Sequence, residues 1–175
     1  LAVLKRLGKR LRHAWPHPLL MVRGDSHFAS PEVMQWIEAQ ADLSYVTGLT
    51  SNAVLQALAR EVVEQAQRAY GRDGGKITRF HSTYYQAGTW SRSRRVVIKV
   101  EVSDQGVNTR FVVTDMEHAR TQVVYRHLYC ARGQMENEIK DHKLYLKSDR
   151  TSCHRFEANQ LRLLRVQSRT VSPGP

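Results

Sequence analysis

The stretch Pro18-Leu19-Leu20-Met21-Val22-Arg23-Gly24-Asp25-Ser26-His27-Phe28 decides how the rest of the chain is read. A short apolar run bounded by proline and glycine has the length and punctuation of a buried strand. It delivers Asp25 at its C-terminal end, where open α/β sheets present functional groups. Downstream, Ser30-Pro31-Glu32 has the marks of a helix start: a capping hydroxyl, proline at the first helical position and an acid near the positive end. Val33, Met34 and Ile37 give that helix an apolar face, which Trp36 extends, and Tyr45 to Leu49 reads as a second strand. Residues 18–49 therefore form a strand-helix-strand unit, whose default geometry is parallel pairing through a right-handed crossover. The fold class this predicts is α/β.

Around that unit the pattern changes several times. Residues 1–17 carry Lys5, Arg6, Lys9, Arg10 and Arg12 and read as a basic lead-in helix. From Asn52 to Tyr70, Val54, Leu55, Leu58, Val62, Val63, Ala66 and Ala69 recur at helical spacing, with Gly71 as the expected stop. Gly74-Gly75 marks the turn into a strand over residues 76–86. Residues 95–102 alternate, with Val96, Ile98, Val100 and Val102 on one face and Val97, Lys99 and Glu101 on the other; Thr109 to Thr114 returns antiparallel. Helix plus β-rich block thus spans 50–115. Helical character is expected again from residue 116, with Met116, Ala119, Val123 and Val124 opening an apolar stripe, and the C-terminal helices extend to 164 before an irregular tail, 165–175.

Within that last region Tyr129, Arg132, Glu136 and Lys143 stand at the spacing Y-x2-R-x3-E-x6-K. On a helix, Arg132, Glu136, Lys140 and Lys143 share one face, so one acid sits inside a surface suited to gripping phosphates. A solvated charged stripe is the plain alternative, and Glu136 with Lys140 is also an ordinary stabilising pair. Asp25 and Glu136 can meet across a sheet and a helix. Two carboxylates brought together repel unless a cation lies between them, and a hard divalent ion, Mg²⁺ or Mn²⁺, suits their oxygens. Asp25 has its own modest alternative as a turn residue after Gly24. Arg23-Gly24-Asp25 also spells a cell-adhesion tripeptide, a match short enough to arise by chance.

Composition narrows the partner. Lys and Arg number 27 against 16 Asp and Glu in 175 residues, a formal charge of +11, the footprint of a protein that neutralises phosphates. Ribosomal and other basic proteins share it. Hydrophobic residues make up 41% of the chain, which argues against wholesale disorder. Cys130 and Cys153 lie too far apart for a C-x2-C metal site. No apolar stretch reaches membrane-spanning length, and the basic start lacks a signal-peptide core, so a cytoplasmic protein acting on the chromosome, without a membrane partner, is expected.

These residues carry a family resemblance. R-G-D-S-H-F around Asp25, W-S-R-S-R-R-V-V from Trp90, F-V-V-T from Phe111, the tyrosine-arginine-glutamate-lysine pattern ending at Lys143, D-R-T-S from Asp149 and A-N-Q-L-R-L from Ala158 occur in order over most of residues 18–164. The chain resembles the C-terminal part of the catalytic domain of bacterial insertion-sequence transposases of the DDE class, in the group with a Y-R-E-K signature (transposase DDE domain group 1). The resemblance implies an RNase H-like core that is incomplete here, its first three strands absent, with a β-rich insertion between the second and third acids. Asp25 would be the second catalytic acid, on the fourth strand, and Glu136 the third. Glu138 is a rival, but only Glu136 satisfies the spacing from Arg132 and to Lys143. The first acid is expected upstream, since residues 1–24 contain no Asp or Glu.

The activity implied is metal-dependent DNA strand cleavage and strand transfer, with Asp25 and Glu136 as catalytic and Mg²⁺- or Mn²⁺-binding residues. With one acid missing, this fragment alone is expected to turn over little or nothing. DNA, as element ends and target, is the implied partner, and a homodimer in the DNA complex is compatible with it. Nucleoid association follows from the same reading. Arg132, Lys140 and Lys143 would hold phosphates, with Tyr129 adding a hydroxyl or ring; a half-buried packing tyrosine is an equal alternative. Trp90 with Arg92, Arg94 and Arg95 forms a second candidate DNA surface, on which a base can stack on the indole, although packing of Trp90 within the sheet is the stronger expectation. The rival to an enzyme is a catalytically dead basic fragment or relic that binds element ends or interferes with full-length transposase.

Overall fold

The computed structural model describes residues 1–17 and 19–131, and residues 1–131 form one compact unit. The segment from Arg132 onward, with Glu136, Lys140 and Lys143, lies outside the described residues. Helix α1 (Ala2–Ala14) leads into strand β1 (Leu20–Gly24), then α2 (Pro31–Glu38), β2 (Leu43–Leu49), α3 (Ala53–Asp73), β3 (Ile77–Tyr85), β4 (Arg94–Ser103) and β5 (Gly106–Thr114). All five strands belong to one mixed sheet in the order β1-β2-β5-β4-β3.

Local chemistry sets the helix starts. Ser30 accepts from the Val33 amide at 3.4 Å ahead of Pro31, and Asn52 accepts from the Leu55 amide at 2.9 Å. β1 and β2 pair in parallel, from Leu20 opposite Leu43 to Gly24 opposite Thr47, as the strand-helix-strand pattern predicts. β2 then pairs antiparallel with β5, and β5 with β4 and β4 with β3 continue as hairpins. The β-rich block therefore extends the same sheet as the crossover unit.

The alternation in β4 reports two cores. Val96, Ile98, Val100 and Val102 face Met34 and Ile37 of α2 and Leu55, Ala59 and Ala66 of α3. Val97 faces the other side, with Val46, Val112, Val124 and Tyr125. Tyr45, Met34, Ile37, Leu55 and Ile98 are fully buried, and at roughly 1.5–3 kcal/mol per fully buried large side chain these layers dominate stability.

Two expectations are corrected. Gly71 does not end α3, which runs to Asp73; the left-handed backbone falls at Gly74, φ +65°, where a residue without Cβ is needed. Residues 115–120 are a loop in place of the expected helix, because Arg95 reaches into it. Its guanidinium donates to the carbonyl of Ala119 at 2.8 Å, to that of Met116, and to the Thr121 hydroxyl at 3.2 Å, so two of the loop's carbonyls are satisfied without a helical ladder. The chain then makes one α-turn, Thr121–Val123, and a π-helix, Val124–Tyr129, closed by the Cys130 amide on the Tyr125 carbonyl.

Beneath α2, Glu38 accepts from Arg94 Nε at 2.7 Å and Nη2 at 2.9 Å, from the Tyr45 hydroxyl at 2.9 Å and from Arg92 Nε at 3.2 Å. Burial pushes the Glu38 carboxyl up, but the bonds from Arg94 and Tyr45 together with both guanidinium charges outweigh it and hold the group below its ordinary value. A depressed carboxyl stabilises the fold above its unfolded pKa and loses that contribution as pH falls through the folded value. Asp115 runs the other way, raised chiefly by burial. Glu38→Gln leaves the buried Arg94 facing a neutral amide, with an expected cost of about 3–5 kcal/mol in urea unfolding at neutral pH. The gap to wild type should narrow under acid, as wild-type Glu38 also protonates; a gap unchanged by pH would contradict this account.

Candidate functional site

Asp25 follows β1 directly and opens a short 3-10 turn, Ser26–Phe28. Its Oδ1 accepts from the His27 amide at 3.0 Å and lies 3.2 Å from His27 Nδ1. Both side chains are exposed, Asp25 by 51% and His27 by 90%. Asp25 thus fills the turn-capping role weighed above, with its carboxylate fixed by the turn it caps. Gly24 makes the turn possible by close approach: a Cβ there would lie 2.4 Å from the Phe28 ring.

β2 supplies the neighbouring strand. At Gly48 a Cβ would lie 2.8 Å from the Tyr129 hydroxyl, 3.4 Å from the Ser26 amide nitrogen and 3.5 Å from the Asp25 carbonyl carbon. The missing side chain at Gly48 is the space into which Tyr129 fits. Tyr129 is half-buried, its ring 5.6 Å from that of Tyr125, which in turn lies 5.6 Å from Phe80. Burial raises the Tyr125 hydroxyl to about 12, so it stays protonated at neutral pH. Arg23 of β1 donates to the Leu128 carbonyl at 3.2 Å, tying the end of the π-helix to the strand that carries Asp25. Two motifs far apart in sequence, the Asp25 turn and the first residue of the Tyr129–Lys143 pattern, therefore meet at one sheet edge.

An open cleft of about 320 Å³ adjoins this point, lined among others by Ser26, Thr50, Ser51, Thr109, Arg110 and Tyr129. Hydroxyls and one exposed guanidinium suit a phosphate or sugar oxygen. Sequence reasoning missed Gly48 and Arg110. The signal for Gly48 was present, since a lone glycine inside an apolar strand marks close approach of another group; Arg110 offers no such signal among so many basic residues.

The second candidate DNA surface has a different setting. Trp90 is 6% exposed, packed edge-on against Tyr85 at 5.4 Å and under the Arg94 guanidinium at 5.2 Å. Arg94 and Arg95 are 3% and 7% exposed, the first bound to Glu38 and the second to the 116–121 loop. Protein acceptors hold these two guanidiniums where phosphates were expected, because both point inward from the start of β4. Arg92 remains exposed while it bonds Glu38.

Sheet, edge acid and cleft together define an α/β domain with a five-stranded mixed sheet, compatible with an RNase H-like transposase domain. A family model described as transposase DDE domain group 1 matches residues 1–168, and the chain belongs to that family. No curated protein and no solved structure matches it. Membership makes DNA the substrate class and a divalent metal ion the general cofactor. Among the described residues no group of three or more His, Cys, Asp or Glu side chains could hold such an ion. Asp25 does fit as one ligand: an accessible oxygen donor whose orientation the turn fixes. Among the described residues no helix is long and apolar enough to cross a membrane.

Gly48→Ala should push on the Tyr129 hydroxyl and destabilise by about 1–3 kcal/mol. Removing that hydroxyl as well, in Gly48→Ala with Tyr129→Phe, should recover most of the loss in urea melts. Additive losses in the double variant would mean the two residues do not touch.

Proposed function

We propose that this chain serves metal-dependent DNA strand cleavage and strand transfer in the movement of an insertion sequence, as the part of a DDE transposase catalytic domain that carries its second and third acids. Asp25 and Glu136 are the residues that would hold Mg²⁺ or Mn²⁺. Tyr129, Arg132, Lys140 and Lys143 contact the DNA backbone. The observation that carries this reading is the packing of Tyr129 against Gly48 beside Asp25, because it brings the start of the signature segment to the acid-bearing edge.

The roles follow from the chemistry of each group. When bound, a divalent ion at two carboxylates lowers the pKa of water and offsets charge at phosphorus, which serves both hydrolysis and attack by a freed 3′-hydroxyl. Asp25 presents its carboxylate in the orientation set by the His27 amide. Arg132 grips a phosphate as a fork and Lys143 as a point charge, and neither is a base at neutral pH. Tyr129 offers a hydroxyl against Gly48.

A second reading is a relic that binds element ends without strand chemistry, which the formal charge of +11 by itself would support. DNA affinity, followed by fluorescence anisotropy across a salt series, tests both. In EDTA, Asp25→Ala with Glu136→Ala should bind like wild type, whereas Arg132→Ala with Lys143→Ala should weaken binding and flatten the slope of log K against log salt by about 2. Unchanged affinity and slope in the latter variant would contradict the phosphate grip. Replacing EDTA by Ca²⁺ should tighten wild type but not Asp25→Ala; a wild type indifferent to Ca²⁺ favours the relic.

A further inference from the structure

Helix α1 carries five Lys and Arg and no acid, and nothing derived above uses it. It has no fully buried residue. Leu4, Gly8, Leu11 and Arg12 are its partly covered positions. Leu4 packs on the core beneath α2 and α3, a Cβ on Gly8 would lie 3.7 Å from the Trp36 ring, and Arg12 is paired with Asp42 and bonds Gln40 at 3.4 Å. These four positions form the docked side.

At 3.6 residues per turn, Lys5, Lys9, Arg6 and Arg10 fall within one arc of about 140° on the opposite side, with His13 inside the same arc. All five are exposed. No acid occurs in residues 1–24, and among the described residues no ion pair engages Lys5, Arg6, Lys9 or Arg10. Lys5 with Lys9 and Arg6 with Arg10 are like-charge pairs at i,i+4, each costing a few tenths of a kcal/mol in an isolated helix. A helix that concentrates unneutralised cations outward, while its leucines anchor it inward, is shaped to receive a polyanion.

We propose that the outward face of α1, through Lys5, Arg6, Lys9 and Arg10, binds the phosphate backbone of duplex DNA, as a surface separate from the Asp25 edge. This rests on the DNA-acting reading above. Charge density supports it: the four cations occupy about 7.5 Å of helix, over which a duplex presents about four phosphate charges. An anionic membrane surface would require an apolar face to enter the lipid boundary. Here Leu4 and Leu11 are turned to the protein, and exposed Val3 and Leu7 lie on one flank of the basic arc.

The test compares the full chain with Lys5→Gln, Arg6→Gln, Lys9→Gln and Arg10→Gln combined, glutamine being a comparable helix former. Binding to a 30-base-pair duplex is measured by anisotropy in EDTA across a salt series, with circular dichroism as a check on helix content. The combined variant should bind about tenfold or more weakly at 0.1 M salt and lose about 3 from the salt slope. Arg60→Gln with Arg68→Gln, which removes exposed charge from α3, should change the slope by less than about 1. A four-fold variant with wild-type slope and helix content overturns the α1 assignment alone. A wild type that does not bind the duplex overturns the DNA-acting reading with it. Loss of binding to phosphatidylserine vesicles without loss of DNA binding would assign the face to membrane and overturn the proposal.

Discussion

Strand β2 is the constraint on which the rest of the structure depends. It alone joins the parallel unit to the antiparallel block, pairing with β1 on one edge and β5 on the other, and five of its seven residues are buried. Tyr45 enters the core under α2 and α3, and Val46 the core under the π-helix. A strand paired on both edges and covered on both faces has no freedom of register, because a one-residue slip would exchange its faces. That fixed register puts Gly48 beside Asp25, and the empty face of Gly48 admits Tyr129.

Polar groups reinforce the same junction. The Tyr45 amide donates to Asp115 at 3.0 Å, the Thr114 hydroxyl donates to the Tyr45 carbonyl at 2.7 Å, and the Tyr45 hydroxyl reaches Glu38. Glu38 in turn holds Arg94 at the start of β4. The buried arginines after Trp90 thus belong to the scaffold, coupling α2 and the 116–121 loop to β4. Their removal is expected to act on folding before it acts on any ligand.

Much of this fold was legible because its signals are local. Apolar alternation in β4, the caps at Ser30 and Asn52, and the apolar run before Asp25 each depend on neighbours within a few residues. The crossover unit and the hairpins follow from them. What escaped were features decided by contacts distant in sequence. The 115–120 segment has helical composition, yet Arg95 of β4 takes the carbonyls of Met116 and Ala119. Gly71 stays within α3, while Gly74 and Gly75 after it adopt the positive φ. Arginines in W-S-R-S-R-R look alike in sequence, but pleat and register turn Arg94 and Arg95 inward and leave Arg92 exposed. At the candidate site, Asp25 and Tyr129 were identifiable as residue types at telling positions, while Gly48, which lets Tyr129 fit at that edge, carries no chemistry of its own.

The functional account reduces to the proposal that Asp25 and Glu136 are both ligands of a divalent ion. Mn²⁺ titration of the full chain at millimolar concentrations, followed by paramagnetic broadening of the Gly24 and His27 amide resonances, tests it directly. The account predicts selective broadening in wild type that is lost in Asp25→Asn and equally lost in Glu136→Gln. Broadening that survives Glu136→Gln unchanged, or that never singles out this turn, would contradict it.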